Sequence, residues 1–229
     1  MKHIWFVAGT DTEVGKTVVS TALLTAANRL GLQTLGLKPL AAGCEETPDG
    51  LRNDDALKLQ QAASVWLSYD QVNPIALQAA VAPHIAAGEQ RLSAERIVAY
   101  CRGALMQRAD LVVIEGAGGW RVPLNARETL ARVPQLMELP VILVVGMKLG
   151  CINHALLTAE AIARDGLQLV GWVANQIDPN MACHDENLQT LKERLRAPLL
   201  GSLPWLEQPT CETLAEYLDL SLLLNSDRH

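Results

Sequence analysis

The sequence predicts a single α/β domain in which a mostly parallel central sheet is flanked by helices on both faces. Three observations support this prediction. Apolar runs typical of buried parallel strands, beginning with Ile4–Ala8, alternate with segments of helical spacing. Hydrophobic residues make up 49% of the chain but aromatic residues only 4%, so the core is aliphatic. No Pro-, Gly- or Ser-rich linker divides residues 1–229, which favours one domain.

The first strand leads into Phe6–Ser20, FVAGTDTEVGKTVVS, which has the pattern of a phosphate-binding loop (P-loop). Gly9 ends the strand, and a Gly-Lys-Thr triplet at residues 15–17 opens a helix. In such loops backbone N–H groups surround phosphate oxygens, the lysine reaches the β- and γ-phosphates, and the hydroxyl is placed to hold Mg²⁺. The usual first glycine would fall at Thr10. We expect an ATP or GTP site rather than a turn that binds nothing.

A helix over Thr17–Leu30 and a second short strand, Thr34–Lys38, follow this loop. The strand ends before Pro39, which disfavours a helix at the preceding residue. Lys38 therefore stands at the carboxyl end of a buried strand, the edge at which open α/β sheets bind ligands. A solvated lysine that closes the strand is an equally good interpretation.

The segment Ala41–Asp55 is rich in Gly, Thr, Pro and Asp, and we expect a loop there, followed by a helix over Ala56–Ala63. Asp54 and Asp55 stand at the start of that helix. They are either an N-cap and a first-turn acid, or one of them faces the P-loop and helps to hold Mg²⁺. The spacing does not choose between these interpretations.

A continuous apolar run ending in an acid and glycines, DLVVIEGAGG, occupies Asp110–Gly119. It predicts a central parallel strand that delivers Glu115 to the sheet edge. A carboxylate buried there needs a partner, and Mg²⁺ with ATP phosphates is a natural one. The glycines at 116, 118 and 119 would let the backbone approach a ligand closely. We favour this interpretation over a strand-ending acid without a function.

The remaining elements alternate in the same way. We expect irregular or short helical structure over Ser64–Gly88, helix over Ser93–Gln107 capped by Ser93, and a short helix within Leu130–Met137. Further expected strands are Pro140–Gly146, Leu169–Ala174 and Pro198–Leu203, and further helices are Leu149–Arg164, Asp185–Leu195 and Thr213–Leu224. The apolar face of the Ser93 helix, which we assign to the core, consists of Ile97, Tyr100, Cys101, Ala104 and Leu105.

Two of these elements carry candidate binding groups. The helix that opens at Leu149–Asn153 presents free N–H groups that can hold an anion, although most such ends are simply capped. Cys151 could have a lowered thiol pKa there, but without a nearby dyad partner we interpret it as structural. Asn175 and Gln176 follow a strand, where an amide can read a purine edge or simply form a turn.

Composition narrows the function further. The net charge of −6 argues against an extended nucleic-acid or membrane surface. The five scattered cysteines form no C-x-x-C pair, and we expect a reduced, cytoplasmic protein without a secretory leader. The longest apolar run, around Pro140–Met147, is too short to span a bilayer.

Several segments, in this order, closely resemble the dethiobiotin synthetase family over nearly the whole chain, more weakly in Ser64–Glu95 and after about Asn180. The segments that carry the resemblance are GTDTEVGKT, LKPLAAG, TPDGLRNDDALKLQ, EGAGGW, PVILVVGMKLGCINHALLTA and GWVAN. The resemblance implies a homodimeric P-loop ligase of biotin synthesis that uses ATP and Mg²⁺. Its substrate would be 7,8-diaminononanoate, which takes up CO₂ as a carbamate. The carbamate would attack the γ-phosphate of ATP, and the second amine would close the resulting carbamic-phosphoric anhydride to the ureido ring.

The resemblance also implies roles for individual residues. The residues implied to act on the carbamate and the transferring phosphoryl group are Lys38, Lys16 and Thr12. Those implied to bind nucleotide are Glu13, Val14, Gly15, Lys16, Thr17, Val18, Asp55, Glu115, Gly116, Ala117, Gly118, Asn175, Gln176, Pro204, Trp205 and Leu206. Mg²⁺ would be held by Thr17, Asp55 and Glu115. The substrate would contact Ala42 and, across the dimer interface, Gly150, Cys151, Ile152 and Asn153.

The chain departs from the family pattern in places. Ala42 replaces a frequent Ser, Asn187 replaces a frequent Tyr, and a nucleotide-contacting Glu is matched only by the displaced Glu207 and Glu212. One alternative is a P-loop ATPase switch that positions DNA or membranes, but such proteins usually carry an extra lysine early in the loop, where this chain has Thr10–Thr12. Another is a related ATP-dependent ligase acting on a different substrate.

Overall fold

The computed structural model describes residues 2–224. Its strands are β1 (His3–Gly9), β2 (Thr34–Leu37), β3 (Leu40–Ala42), β4 (Glu45–Thr47), β5 (Gly50–Arg52), β6 (Ile75–Leu77), β7 (Leu111–Glu115), β8 (Val141–Met147), β9 (Leu169–Gln176) and β10 (Leu199–Leu203). Its helices are α1 (Lys16–Arg29), α2 (Asp54–Ala62), α3 (Tyr69–Val72), α4 (Pro83–Ala86), α5 (Ala94–Ala104), α6 (Arg132–Met137), α7 (Cys151–Arg164), α8 (His184–Arg194), α9 (Cys211–Ala215) and α10 (Ser221–Leu224).

The main sheet has the order β10-β9-β8-β1-β7-β2, and all of its strand pairs are parallel. Alternate side chains of β1 point to opposite faces of the sheet. On one face Phe6 shares a buried cluster with Ile97 of α5, and on the other Val7 shares a cluster with Leu23 of α1. The predicted α/β fold with helices on both faces is therefore confirmed.

The parallel register brings the functional segments to one edge. Val7 of β1 pairs with Glu115 of β7, and Leu37 of β2 pairs with Ile114. The P-loop follows β1, Lys38 follows β2, and Glu115 ends β7. Because the carboxyl ends of neighbouring parallel strands meet, these three segments lie side by side.

The expected loop over Ala41–Asp55 is wrong in detail, because it contains β3 and a small antiparallel hairpin of β4 and β5. The hairpin lacks the apolar alternation that identifies half-buried strands, since Glu45 and Glu46 are both exposed. The segment Ser64–Gly88 likewise holds the short strand β6 between the short helices α3 and α4.

The expected helix over Thr213–Leu224 is also wrong, because the chain breaks between α9 and α10. The backbone N–H of Asp219 donates to the carbonyl of Leu200 at 2.8 Å, and Leu218 forms a bridge to Gly201 within β10. A Cβ at Gly201 would overlap the carbonyl of Tyr217, so this approach depends on the glycine. A contact with the sheet edge thus overrides the helical pattern.

Tyr100, expected in the core, is 38% exposed, and its hydroxyl accepts hydrogen bonds from the Arg96 guanidinium instead. Ser93 caps α5 as expected, accepting from the backbone N–H of Arg96.

None of the helices within residues 2–224 combines the length and apolar character needed to cross a bilayer.

Candidate active site

A cleft of about 1670 Å³ opens at the carboxyl edge of β1, β2 and β7. Its walls include the P-loop, the start of α2, the loop after β7 and one side of α7. The sequence-predicted residues that line it are Thr12, Glu13, Gly15, Lys16, Thr17, Val18, Lys38, Ala42, Asp55, Ala117 and Gly118. Most of the residues assigned to phosphate and the reacting groups therefore share one cleft.

Close packing holds the P-loop in shape. A Cβ at Gly9 would lie 2.8 Å from Val14 Cγ2, which gives a reason for the glycine at position 9 rather than 10. Gly15 has a φ of +87°, and a Cβ there would overlap Asn175 Nδ2. That nitrogen donates to the carbonyl of Val14 at 2.9 Å. Asn175 is therefore a buried residue of β9 with one amide hydrogen committed to the loop, and it does not form a turn.

Lys16 extends into the curve of the loop. Its side chain is buried, and Nζ donates to the carbonyl of Asp11 at 3.0 Å. Burial lowers the pKa of Lys16 to about 8, and repulsion from Lys38 adds to this effect. In the protein without nucleotide, the positive charge on Lys16 is therefore only weakly stabilised. An anionic phosphate would stabilise it further.

This pKa predicts a pH dependence for nucleotide binding. Lys16 is charged below pH 8 and loses its charge as the pH rises through its pKa of about 8. Phosphate binding stabilises the charged form, so the affinity for ADP should be flat near neutral pH and fall by up to about tenfold per pH unit above 8. Titration calorimetry at a series of pH values measures this. The variant Lys16→Met should bind ADP weakly, and its affinity should not decline with pH in this way. A wild-type affinity for ADP that stays constant up to about pH 9.5 would contradict the assignment of Lys16 to phosphate binding.

The centre of the site is a buried cluster around Lys38. Its Nζ donates to Glu115 Oε1 at 2.5 Å, to Asp55 Oδ2 at 3.1 Å and to the carbonyl of Gly116 at 3.2 Å. Thr17 Oγ1 donates to the same oxygen of Glu115 at 2.8 Å. Lys38 is 4% exposed, so the interpretation as a solvated lysine is wrong. The position just after β2 meets residues from β7, α1 and α2 here.

The charges within this cluster support one another. Burial opposes the charge on Lys38, but Glu115 and Asp55 outweigh it, and the net effect raises the pKa of Lys38. Burial also acts against the charge on Asp55, yet Lys38 and Thr17 hold its pKa below the usual value. Asp54 instead points outward, with its side chain 77% exposed and paired with Lys58. The N-cap of α2 is Asn53, and Asp55 is the acid that faces the P-loop.

The cluster suits a magnesium ion. Among the described residues, Glu115 Oε2 is buried without a hydrogen-bond partner, while Thr17 and Asp55 offer oxygens beside it. No group of three or more His, Cys, Asp or Glu within residues 2–224 forms a metal cage of its own. Mg²⁺ is usually bound by one or two carboxylates together with substrate phosphates and water, so the residues present fit this ion.

The residues expected at adenine lie apart from the cleft lining. Trp205 is 46% exposed, and its backbone N–H donates to Gln176 Oε1 at 3.5 Å. This contact groups Gln176 with the Pro204–Leu206 segment beside the end of β9. Of the two displaced acids, Glu212 lines the cleft and Glu207 does not.

The expected anion-binding start of α7 also lies outside the cleft lining. Gly150 is its N-cap, with a φ of +94°, and within the described residues no side chain caps this end, Asn153 included. Burial raises the pKa of the Cys151 thiol, which favours the structural role expected for this residue. Asn187 donates from Nδ2 to the carbonyl of Cys183 near the start of α8.

Some residues near the cleft carried no sequence signal. Asp165, the C-cap of α7, contacts both Trp120 and Arg121, which line the cleft. Lys148 Nζ, after β8, lies 3.8 Å from Asp11 Oδ2 in the P-loop. Both contacts join positions far apart in the chain, and neither follows from local periodicity.

Comparisons with known proteins find relatives over nearly the whole chain. A family model described as an AAA domain matches residues 3–213. The chain is 56% identical to the ATP-dependent dethiobiotin synthetase of Cellvibrio japonicus, covering 98% of this chain and 99% of that protein. It is 54% identical to the ATP-dependent dethiobiotin synthetase of Marinobacter nauticus, again covering 98% and 99%.

Solved structures show the same fold at low identity. The septum site-determining protein MinD of Pyrococcus horikoshii, complexed with Mg-ADP, is similar with a TM-score of 0.55 and 16% identity over 100% of this chain and 91% of that chain. The cell division protein FtsY of Thermotoga maritima is similar with a TM-score of 0.54 and 16% identity over 95% of this chain and 68% of that chain. At such identities the likeness concerns the fold alone.

Proposed function

The chain belongs to the ATP-dependent dethiobiotin synthetase family, and from this premise we propose how its cleft closes a ureido ring. The protein is an ATP-dependent ligase of biotin synthesis that joins CO₂ to 7,8-diaminononanoate. The observation that carries the residue assignments is the buried Lys38, held by Glu115 and Asp55 beside the P-loop.

The first step needs positive charge more than covalent chemistry. A carbamate formed on one amine of the substrate attacks the γ-phosphate of ATP, so two anionic groups must approach each other. Lys38 and Lys16 both line the cleft with largely buried side chains and supply that charge. Thr12 is exposed on the same loop and lines the cleft, which supports our proposal that it contacts the carbamate.

Ring closure then depends on proximity. The second amine attacks the carbonyl carbon of the carbamic-phosphoric anhydride and releases phosphate. Holding that amine beside the anhydride makes the step effectively intramolecular, which is a large advantage over a reaction between separate molecules. Ala42 lines the cleft without a hydroxyl, and one missing neutral hydrogen bond costs only about 1 kcal/mol.

Mg²⁺ would be held by Thr17, Asp55 and Glu115. Lys38 Nζ donates to Asp55 and Glu115, and Thr17 Oγ1 donates to Glu115. When bound, the ion neutralises charge that develops on the transferring phosphoryl group. For the nucleotide base, the residues near the end of β9 remain our proposal: Asn175 and Gln176, with the Pro204–Leu206 segment.

We infer a homodimer in which the start of α7 binds the distant carboxylate of the substrate across the interface. This helix start carries no side-chain cap within the described residues, and Leu149 beside it is 93% exposed. Free N–H groups at a helix N-terminus favour a carboxylate.

The cysteines Cys44, Cys101, Cys151, Cys183 and Cys211 are free, consistent with our proposal of a cytoplasmic enzyme.

Product analysis tests the function. Purified protein should convert 7,8-diaminononanoate, ATP, Mg²⁺ and isotopically labelled bicarbonate into dethiobiotin that carries the label in its ureido carbonyl. Omitting any one of these components should abolish the product. Unlabelled product, or no product from an otherwise folded and nucleotide-binding protein, would reject the proposed reaction.

A further inference from the structure

The residues that follow the glycines after β7 are anchored to a distant helix. Asp165 Oδ2 accepts from Trp120 Nε1 at 2.8 Å and from Arg121 Nη1 at 2.6 Å, while Oδ1 accepts from Arg121 Nη2 at 2.9 Å. The Asp165 side chain is 11% exposed and that of Arg121 49%. One carboxylate therefore fixes two consecutive residues of the cleft wall, and the bidentate pair also sets their orientation.

The position of Asp165 argues that this carboxylate does not serve its own helix. Asp165 is the C-cap of α7, where the helix dipole disfavours a negative charge. Its compensation comes from Arg121 and Trp120, and its backbone carbonyl accepts from Gln135 Nε2 at 3.1 Å. The contact therefore acts on the segment at Trp120 and Arg121.

The segment of residues 116–121, which includes Trp120 and Arg121, lies directly on the P-loop. A Cβ at Gly118 would lie 3.6 Å from Thr12 Oγ1, and a Cβ at Gly119 would lie 3.6 Å from the carbonyl of Thr10. The Trp120 ring packs edge-on against Phe6 of β1, with centroids 6.1 Å apart. A shift of this segment would therefore change its contacts with the P-loop residues that we assign to phosphate binding.

The other end of the segment contacts the reacting groups. The carbonyl of Gly116 accepts from Lys38 Nζ at 3.2 Å, and Glu115 precedes it. We propose that Asp165 is a positioning residue that holds residues 116–121 against the P-loop and thereby keeps Lys38 aligned for phosphoryl transfer. The kinetic part of this inference rests on the proposed ring closure.

Kinetics of Asp165→Ala test the inference. We expect kcat to fall about tenfold, because small misplacements of reacting groups are costly, with the KM for ATP changed by less than about twofold. Asp165→Asn, which keeps an acceptor for Trp120, should lose less. The matched control is Glu216→Gln, which removes the carboxylate of an exposed ion pair with Arg29 and should keep wild-type kinetics. A raised KM with unchanged kcat would overturn the proposal.

A double-variant comparison separates positioning from a merely structural role. In a Lys38→Met background, Asp165→Ala should cost little further kcat, because its effect is exerted through Lys38. An equal loss in both backgrounds would overturn the inference.

Hydrogen exchange tests the anchor without any reaction. The backbone amides of residues 116–121 should exchange faster in Asp165→Ala than in wild type, and Glu216→Gln should leave them unchanged. This readout would survive failure of the proposed ring closure, so the two ideas can fail separately. Unchanged exchange at these amides would overturn the anchor itself.

Discussion

Lys38→Met is expected to lower kcat by about a hundredfold to a thousandfold while the Kd for ATP changes little. We propose that Lys38 acts on the carbamate; it donates to Glu115, Asp55 and the carbonyl of Gly116, whereas Lys16 lies within the P-loop. Removing Lys38 thus removes charge that matters most when the phosphoryl group transfers. Steady-state kinetics with the diamine, together with calorimetric ATP binding, measure the two effects.

Stability must be followed in the same variant. Deleting one partner of a buried ion pair typically costs about 3–5 kcal/mol, and Glu115 is almost fully buried. Lys38→Arg keeps the charge and should recover part of the loss if folding limits the Met variant. The matched control is Lys192→Met on α8, an exposed lysine that does not line the cleft, and its kcat should stay within about twofold of wild type. Wild-type turnover in Lys38→Met would reject the role of this lysine.

Gly15→Ala is expected to weaken ADP binding by about ten- to a hundredfold. A φ of +87° strains any residue with a Cβ, and that Cβ would also overlap Asn175 Nδ2. Such strain amounts to about 1–3 kcal/mol. The free loop can relax away from the conformation that surrounds phosphate, so binding must then supply this energy. Calorimetric titration with ADP gives the change in Kd.

Gly31→Ala provides the matched control for this prediction. Gly31, just after α1, has a φ of +80°, and a Cβ there meets nothing within 4 Å. It should lower the free energy of unfolding by about 1 kcal/mol and leave the Kd for ADP unchanged. Equal affinity in Gly15→Ala and wild type would show that the loop does not bind phosphate in this conformation.

The fold, and the approach of Lys38 and Glu115 to the P-loop, could be predicted because they follow from strong local patterns in the sequence. Buried parallel strands read as continuous apolar runs, and the carboxyl ends of such strands meet at one edge. Lys38 and Glu115 each end such a run, so their approach could be expected even though 77 residues separate them. The Gly-Lys-Thr triplet likewise predicts its structural context, which is a strand before the loop and a helix after it.

Other features depend on tertiary contacts that no local pattern encodes. The choice of Asp55 over Asp54 depends on the rotation of α2 about its axis, and both acids suit its first turn. Asn175 contacts the P-loop across 161 residues. The break after α9 follows from a backbone hydrogen bond between Asp219 and Leu200. Asp165 looks like an ordinary helix-ending acid until Arg121 is seen beside it.

The most direct test of the central claim is ADP release by purified protein supplied with ATP, Mg²⁺ and bicarbonate, measured before and after 7,8-diaminononanoate is added. A cleft in which Lys38 and the P-loop act on a carbamate should release ADP only slowly at first. After the addition, release should be rapid and match the dethiobiotin formed, mole for mole. ADP release at the same rate with and without the diamine would contradict the claim and point to a nucleotide switch.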